Sequence, residues 1–389
     1  MMKIELAQRI KKLPPYLFAE LDRMKAAAMA KGVDVIDLGV GDPDRPTPPH
    51  IIEALKQAAA DPAHHRYPSY TGMNAFREAV SGFMEGRFSI KLDPTTEIVT
   101  LIGSKEGIAN LPLAFVNPGD VVLVPSPGYP PTLSGSLFAG GTPHLMPLTR
   151  ENGFIPDLSA IPESVADQAV MMHLNYPNNP TAALATREFY AEVIRFAKKH
   201  GVIIVSDLAY SELYYDEAPP ISILQMPGGR DVAIEFHSLS KTYNMTGWRL
   251  GWACGNAELI AGLGKIKTNI DSGAFQAVQM AGIAALTGDQ GCVTSMRKLY
   301  HERRQLLVEG LIKLGLDVAS SAATFYVWVA TPKGSNSRRF AARLLEEAGV
   351  VCTPGVGFGK HGEGFVRFAL TREVARLQEA LDRMRTKGL

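Results

Sequence analysis

Between Glu97 and Gly255 the chain alternates short apolar runs with longer amphipathic stretches. No other feature limits the fold as strongly. "EIVTLIG", "DVVLVPS", "QAVMMHLN", "GVIIVSD", "VAIEFHS" and "LGWACG" are rich in Val and Ile and lack the strict apolar–polar alternation of a half-exposed strand. Stretches such as "SKEGIANLPLAFV" and "TREFYAEVIRFAKKH" separate them and carry helical periodicity. Strands apolar on both faces, spaced by helices, predict an α/β fold: a mostly parallel sheet with helices on both sides.

The flanks extend that plan. "LFAELDRMKAAAMAK" at 17–31 reads as a helix stopped by Gly32, and "HIIEALKQAAAD" and "MNAFREAVSGFMEGRF" read as two more. "VDVIDLGVGDPDRPTPP" reads as a short strand entering a Gly/Pro/Asp loop, and a long helical tract covers about 256–315. After it, "GLDVASSAATFYVWVATP", a helix, "GVVCTPGVGFG", "GFVRFAL" and a last helix read as a smaller α+β unit. At ~150 residues per domain, 389 residues exceed one ordinary core. We expect a large domain over 46–285 and a small one over 286–389, with 1–45 an arm that joins the small domain.

A formal net charge of +1 gives no electrostatic footprint for nucleic acid or an anionic membrane. Cys254, Cys292 and Cys352 form no CxxC pair and no metal-like spacing with histidine, which predicts no metal site and fits a reducing compartment. "MMKIELAQRIKK" is charged, without a signal-peptide core, and no apolar run approaches the ~18 residues of a membrane span. The expected location is the cytoplasm.

In open α/β sheets, ligands sit beyond the carboxyl ends of the strands. Ser104, Tyr129, Asn179, Asp207 and Lys241 all fall there. Asp207 ends "GVIIVSD", where a carboxylate suits a protonated ring nitrogen, with Tyr210 three residues on; it reads equally well as a helix N-cap. Lys241 ends another predicted strand, in "FHSLSKTYNMTGWRLGW". A partly buried lysine near other cations has a lowered pKa, and its free amine attacks carbonyls; a lone lysine is otherwise a solvated one. Its company shifts the balance, because Ser238, Ser240 and Arg249 all suit phosphate oxygens. "GSKEG", Gly103 to Gly107, offers backbone N–H groups as the second wall of a phosphate cup. Asn179 lies in the proline-stiffened loop "NYPNNPT", where plain turn chemistry is the alternative. Tyr129 in "PSPGYP" suits stacking on an aromatic ring, though a loop tyrosine needs no ligand. Arg367, mid-strand in "GFVRFAL", needs a carboxylate, from a substrate or from a structural ion pair.

Taken together, these residues resemble the fold-type I pyridoxal-phosphate aminotransferases across essentially the whole chain. "SLSKTYNMTGWRLGW" is similar to that family's cofactor-lysine motif and "SDLAYSELYY" to its aspartate–x–x–tyrosine motif. "NYPNNPTA" is similar to its asparagine–proline–threonine–glycine loop, "VGDPDRPTP" to its substrate loop and "GFVRFAL" to its carboxylate-binding arginine motif. The one departure is Ala182, where the family usually has glycine.

The resemblance implies that Lys241 holds the cofactor covalently and later shuttles a proton. It implies that Asp207 keeps the pyridine nitrogen protonated, that Tyr210 and Asn179 bond the ring oxygen, and that Tyr129 stacks on the ring. Ser104, Lys105, Ser238, Ser240 and Arg249 would bind the phosphate, and Tyr67 would reach the phosphate of a neighbouring subunit. Gly41 and Arg367 would hold the substrate carboxylate. The cofactor is pyridoxal 5′-phosphate, the partners an amino acid and a 2-oxo acid such as 2-oxoglutarate, and the assembly a homodimer with shared sites.

Within that family, "LPPYLFAELDRMK", "GVGDPDRPTPPHI" and "KTNIDSGAFQAVQMAG" are similar to the branch that acts on LL-diaminopimelate. By that resemblance Tyr16 and Lys105 contact substrate, and Asn269 to Ser272 lie near its distal end. The competing expectations are a transaminase for aspartate, alanine or aromatic amino acids, and a carbon–sulfur lyase on the same scaffold. A cofactor-binding regulator is disfavoured, because only one helix precedes the aminotransferase-like region and the net charge is near zero.

Overall fold

The computed structural model describes residues 2–14, 17–215 and 219–389. Its strands, in chain order, are β1 (Ile36–Asp37), β2 (Ile98–Leu101), β3 (Val121–Ser126), β4 (Thr142–Pro147), β5 (Ala169–Asn175), β6 (Ile203–Asp207), β7 (Ala233–Ser238), β8 (Gly251–Gly255), β9 (Tyr326–Ala330), β10 (Val350–Val351), β11 (Thr353–Pro354) and β12 (Phe365–Ala369). Seven of them form one sheet in the order β2-β8-β7-β6-β5-β3-β4. Only the pairs that β8 makes, with β2 and β7, are antiparallel. β2, β3 and β7 are buried at every residue, as strands covered on both faces must be. Two apolar layers follow, one holding Val80, Met172, Ile204 and Leu250, the other Val99, Ile108, Val205 and Phe236.

The smaller sheet has the order β11-β12-β9 and is antiparallel, while β1 pairs in parallel with β10, Ile36 opposite Val350. Its core joins Leu38, Phe325, Val327, Leu344, Val366 and Phe368 to Tyr210 and Leu213 from the far side of the crevice.

Four local details differ from the sequence reading. First, the stretch after Tyr129, where no element is expected, forms a helix, Pro130–Phe138, and the edge strand β4. Both hid behind Gly, Pro and Ser. Pro143 and Pro147 are tolerated because β4 pairs on one side only, with β3. Second, the long helical tract is three helices, Ala257–Ile270, Gln276–Thr287 and Gly291–Lys313. The first break holds Gly273, at φ 87°. Third, "SKEGIANLPLAFV" splits at Pro112, which starts a new turn, because proline has no N–H for an ongoing helix. Fourth, Lys241 sits beyond its strand, on the single helical turn Leu239–Thr242, capped by Ser238 Oγ accepting from Ser240 N.

Candidate active site

Strand register builds the site. Across β2, β8 and β7, Leu101, Gly251 and Ser238 stand in one row. The turn after Leu101 is therefore brought beside the turn after Ser238. That row is tight: a β-carbon built on Gly251 would lie 3.1 Å from Ser104 N. Two strands on, Asn175, Asp207 and Phe236 form a second row across β5, β6 and β7. The strand ends that the sequence marks for chemistry all lie at one edge of the sheet.

The first wall is a tight turn at Gly103, of a shape and charge that suit an anion. Gly103 precedes the helix Ser104–Asn110 with φ 75°, and a β-carbon there would stand 2.2 Å from Arg249 Nη2. Glycine is needed twice over, for the left-handed backbone and for the space the guanidinium fills. Arg249 is itself in the left-handed region, at φ 53°, unusual for a residue with a side chain. Such outliers persist where the surroundings enforce them, often at functional sites. Arg249 Nη1 donates to Thr246 O at 2.8 Å, which leaves the rest of the fork to face the turn. Ser238 and Ser240 are buried alongside, and Lys105 is exposed at the rim.

Asp207 lies at the floor, buried, its Oδ1 accepting from Ala209 N at 3.1 Å and its carbonyl from Asn175 Nδ2 at 3.0 Å. Burial pushes its carboxyl up to about 7, and the nearby carboxylate of Glu235 adds to the rise. The charge on Lys241 offsets this only in part, and among the described residues no cation pairs directly with the carboxylate. Lys241 is half-buried, and its Nζ donates to Gly41 O at 3.1 Å. Burial lowers its pKa to about 8, and Arg249 and Arg367 add to the fall, while Asp42 and Asp207 oppose it. A fraction of the amine is therefore free near neutral pH.

The opposite wall comes from the smaller sheet. Arg367 on β12 is buried and donates from Nη1 to Asn179 Oδ1 at 2.7 Å and from Nη2 to Gly39 O at 2.8 Å. Its guanidinium lies 4.0 Å from the ring centre of Tyr326 and 4.7 Å from that of Phe358. Arg367 has no carboxylate partner among the described residues, so the structural ion pair that the sequence left open is not formed. Asn179 N donates to Asn175 Oδ1 at 2.9 Å, so one asparagine braces both Asn179 and Asp207. With Oδ1 of Asn179 taken, its Nδ2 is the group left to donate into the crevice.

Tyr210 bonds Tyr326, hydroxyl to hydroxyl, at 3.1 Å, and burial holds its phenol well above the ordinary value. Tyr129, half-buried, precedes the helix Pro130–Phe138 and lies close enough to Tyr210 for its charge to be felt there. Gly41 must be glycine, since a β-carbon would stand 1.9 Å from Tyr326 Oη. Tyr67 lies apart from this cluster and is 87% exposed. Tyr16 is outside the described residues.

Sequence reasoning missed Tyr326 and Gly39. Tyr326 touches Tyr210, Arg367 and the Gly41 loop, yet "FYVWV" reads as any buried strand. Gly39 acts through its carbonyl, which no side-chain pattern reveals.

The residues suit a phosphorylated pyridine aldehyde. The Gly103–Arg249 turn matches a phosphate, the buried Asp207 without a directly paired cation a ring nitrogen, and Lys241 an aldehyde. Fold and site together define an α/β enzyme built to hold such a cofactor between a large and a small sheet. Residues 33–384 match the model of the aminotransferase class I and II family, and the chain belongs to that family. It is a pyridoxal-phosphate-dependent aminotransferase of the fold-type I architecture. It is similar to the LL-diaminopimelate aminotransferase of Syntrophobacter fumaroxidans, 58% identical over 97% of this chain and 98% of that one. It is also 58% identical to the enzyme of that name from Aquifex aeolicus, over 99% of this chain and 100% of the other. A single-mutant aspartate aminotransferase from Thermus thermophilus superposes with TM-score 0.92 at 30% identity, over 98% of this chain and 99% of that one.

Proposed function

We propose that this aminotransferase interconverts LL-diaminopimelate and the cyclic product of its keto acid, tetrahydrodipicolinate, with 2-oxoglutarate and glutamate as the other pair. Full-length identity of 58% to relatives bearing that activity in their names carries this reading. The physiological direction is toward diaminopimelate and lysine.

When bound, pyridoxal phosphate supplies an aldehyde that takes up an amino group and a ring that draws electrons from the substrate's α-carbon. The chain's residues do the rest. Ser104, Ser238, Ser240, Lys105 and Arg249 hold the phosphate, and Tyr129 covers the ring. Asp207 keeps a proton on the ring nitrogen, and its raised pKa falls once that cation is beside it. Tyr210 and Asn179 bond the ring oxygen. Arg367 and the main chain at Gly41 orient the substrate carboxylate, so that the Nζ of Lys241 can take the α-proton and return it on the far side of the amino nitrogen, two bonds from the α-carbon. Lys105 contacts the substrate, and the segment around Asn269–Ser272 lies near its distal end; the substrate contact expected of Tyr16 lies outside the described residues.

The homodimer belongs to this reading. Tyr67, Tyr70, Ile270 and Phe275 are all exposed by about half or more, and lie beside one another because Gly273 packs on Ser69 and Gln276 bonds Arg66 O. A cluster of exposed large apolar side chains beside a site is a natural subunit contact, and Tyr67 would cross it to the partner's phosphate. A cytoplasmic location fits a biosynthetic transaminase. Among the described residues no helix is long and apolar enough to cross a membrane. We place the large domain at 46–285, with 1–45 and 286–389 forming the small one.

The test is a half-reaction. The cofactor-loaded protein is mixed with one amino acid at a time, and the loss of its visible absorbance is followed. Fast loss with LL-diaminopimelate, and slow loss with aspartate, alanine and aromatic amino acids, supports the assignment. Fastest loss with another amino acid assigns a different transaminase. Release of pyruvate and ammonia from a thioether amino acid assigns the lyase.

A further inference from the structure

On the helix Ala257–Ile270, Lys267 is the one lysine among the described residues whose side chain is almost fully buried, at 1% exposure. Nothing assigned above uses it. Its Nζ bonds two carboxylates, Glu106 Oε1 and, at 2.9 Å, Asp271 Oδ2. A buried ammonium this well paired is costly to assemble and to break, which makes the position of its partners informative.

Glu106 stands two residues beyond Ser104. The Oε1 that accepts from Lys267 also accepts from Ile102 N at 3.1 Å, and its Oε2 accepts from Asn110 Nδ2 at 3.1 Å. Glu106 therefore holds the backbone just before Gly103, the residue against which the Arg249 guanidinium lies. Asp271 does the same at the other end. Its Oδ1 accepts from Gly273 N at 2.7 Å, and Gly273 packs on Ser69 O and Pro68, next to Tyr67. One buried ammonium thus ties the turn that forms the phosphate cup to the segment that carries Tyr67.

We propose that Lys267 is a positioning residue for the cofactor phosphate: through Glu106 it fixes the Ile102–Ser104 turn, and through Asp271 it fixes the 271–273 turn against the Tyr67 loop. The proposal rests on the reading of the Gly103–Arg249 turn as a phosphate cup. Without Lys267, two carboxylates face each other with no cation between them, and the turn that Glu106 holds loosens.

The experiment compares two probes on the cofactor-free full-length protein by equilibrium dialysis: pyridoxal 5′-phosphate, and pyridoxal, which lacks the phosphate. Lys267→Met weakens binding of pyridoxal phosphate by about tenfold, the scale of one buried charged partner lost, and leaves pyridoxal within about twofold. Equal losses for both probes, or none for either, overturn the proposal, since a merely structural lysine would not distinguish them. If Lys267→Met does not fold by circular dichroism, Glu106→Ala is used instead. It leaves Lys267 paired with Asp271 and is expected to show the same phosphate-selective loss, with the same outcomes overturning the idea. A wild-type protein that binds both probes equally would instead remove the phosphate cup itself.

Discussion

Arg367 donates to Asn179 Oδ1 at 2.7 Å, across 188 positions of sequence. This bond joins the side chain proposed for the substrate carboxylate to the side chain proposed for the cofactor's ring oxygen. It also fixes the direction of the Asn179 amide, because only one end of that amide accepts. On the proposed roles of these two residues, that hydrogen bond would couple substrate binding at Arg367 to the electronic state of the cofactor.

Asn179→Ala is expected to raise KM for every amino donor by roughly tenfold, because a buried guanidinium loses a fixed acceptor. It should also change the pH dependence of the cofactor's visible absorbance. Steady-state kinetics and a spectral titration check both. An unchanged KM would mean that the Arg367 fork is held by Gly39 O and ring packing alone.

Lys241 sets a pH profile. Its amine has a pKa lowered to about 8, so the reactive free form grows as pH rises through that value. The rate at which cofactor-free protein takes up pyridoxal phosphate should climb with pH and level off above about 8. The charge on Asp42 opposes that lowering most strongly, so Asp42→Asn should move the midpoint to lower pH. Lys241→Ala should keep the circular dichroism, lose turnover and lose the visible absorbance of the bound cofactor.

Asp207 should cost the cofactor-free protein stability at high pH. Its folded pKa, about 7, lies above the unfolded 3.8, so between those values the unfolded chain has released a proton that the fold retains. Stability from this group is full below about pH 4 and falls as pH rises towards 7. Asp207→Asn should therefore stabilise the cofactor-free protein at pH 8, by on the order of 2 kcal/mol, while weakening cofactor binding and slowing turnover. Thermal melts at pH 5 and pH 8, without cofactor, test the sign. A variant less stable than the parent at pH 8 would refute it.

Ala182 is fully buried and has φ 61°. A side chain costs ~1–2 kcal/mol in that region, partly offset by the lower unfolded-state entropy of alanine relative to glycine. Ala182→Gly is expected to gain about 0.5 kcal/mol in urea unfolding, and Ala182→Val to lose more than 1 kcal/mol. A loss in the glycine variant would show that the packing of the alanine methyl outweighs the backbone strain.

The sheet was legible from the residues alone, because apolar runs buried on both faces have few other ways to satisfy their backbone groups. The sequence also marked Ser104, Asn179, Asp207 and Lys241, since chemistry at strand ends leaves polar residues where apolar runs stop. It hid β4 and the helix Pro130–Phe138, whose prolines and glycines mask their periodicity although an edge strand accepts proline. Tertiary structure alone decided what depends on register and on approach between distant segments. It brought Tyr326 between Tyr210 and Arg367, set Arg249 in the space left by Gly103, and placed Lys267 between Glu106 and Asp271. Apart from the local Lys267–Asp271 pair, each of those contacts joins segments far apart in the chain, and neither periodicity nor turn chemistry records which distant side chain fills a given space.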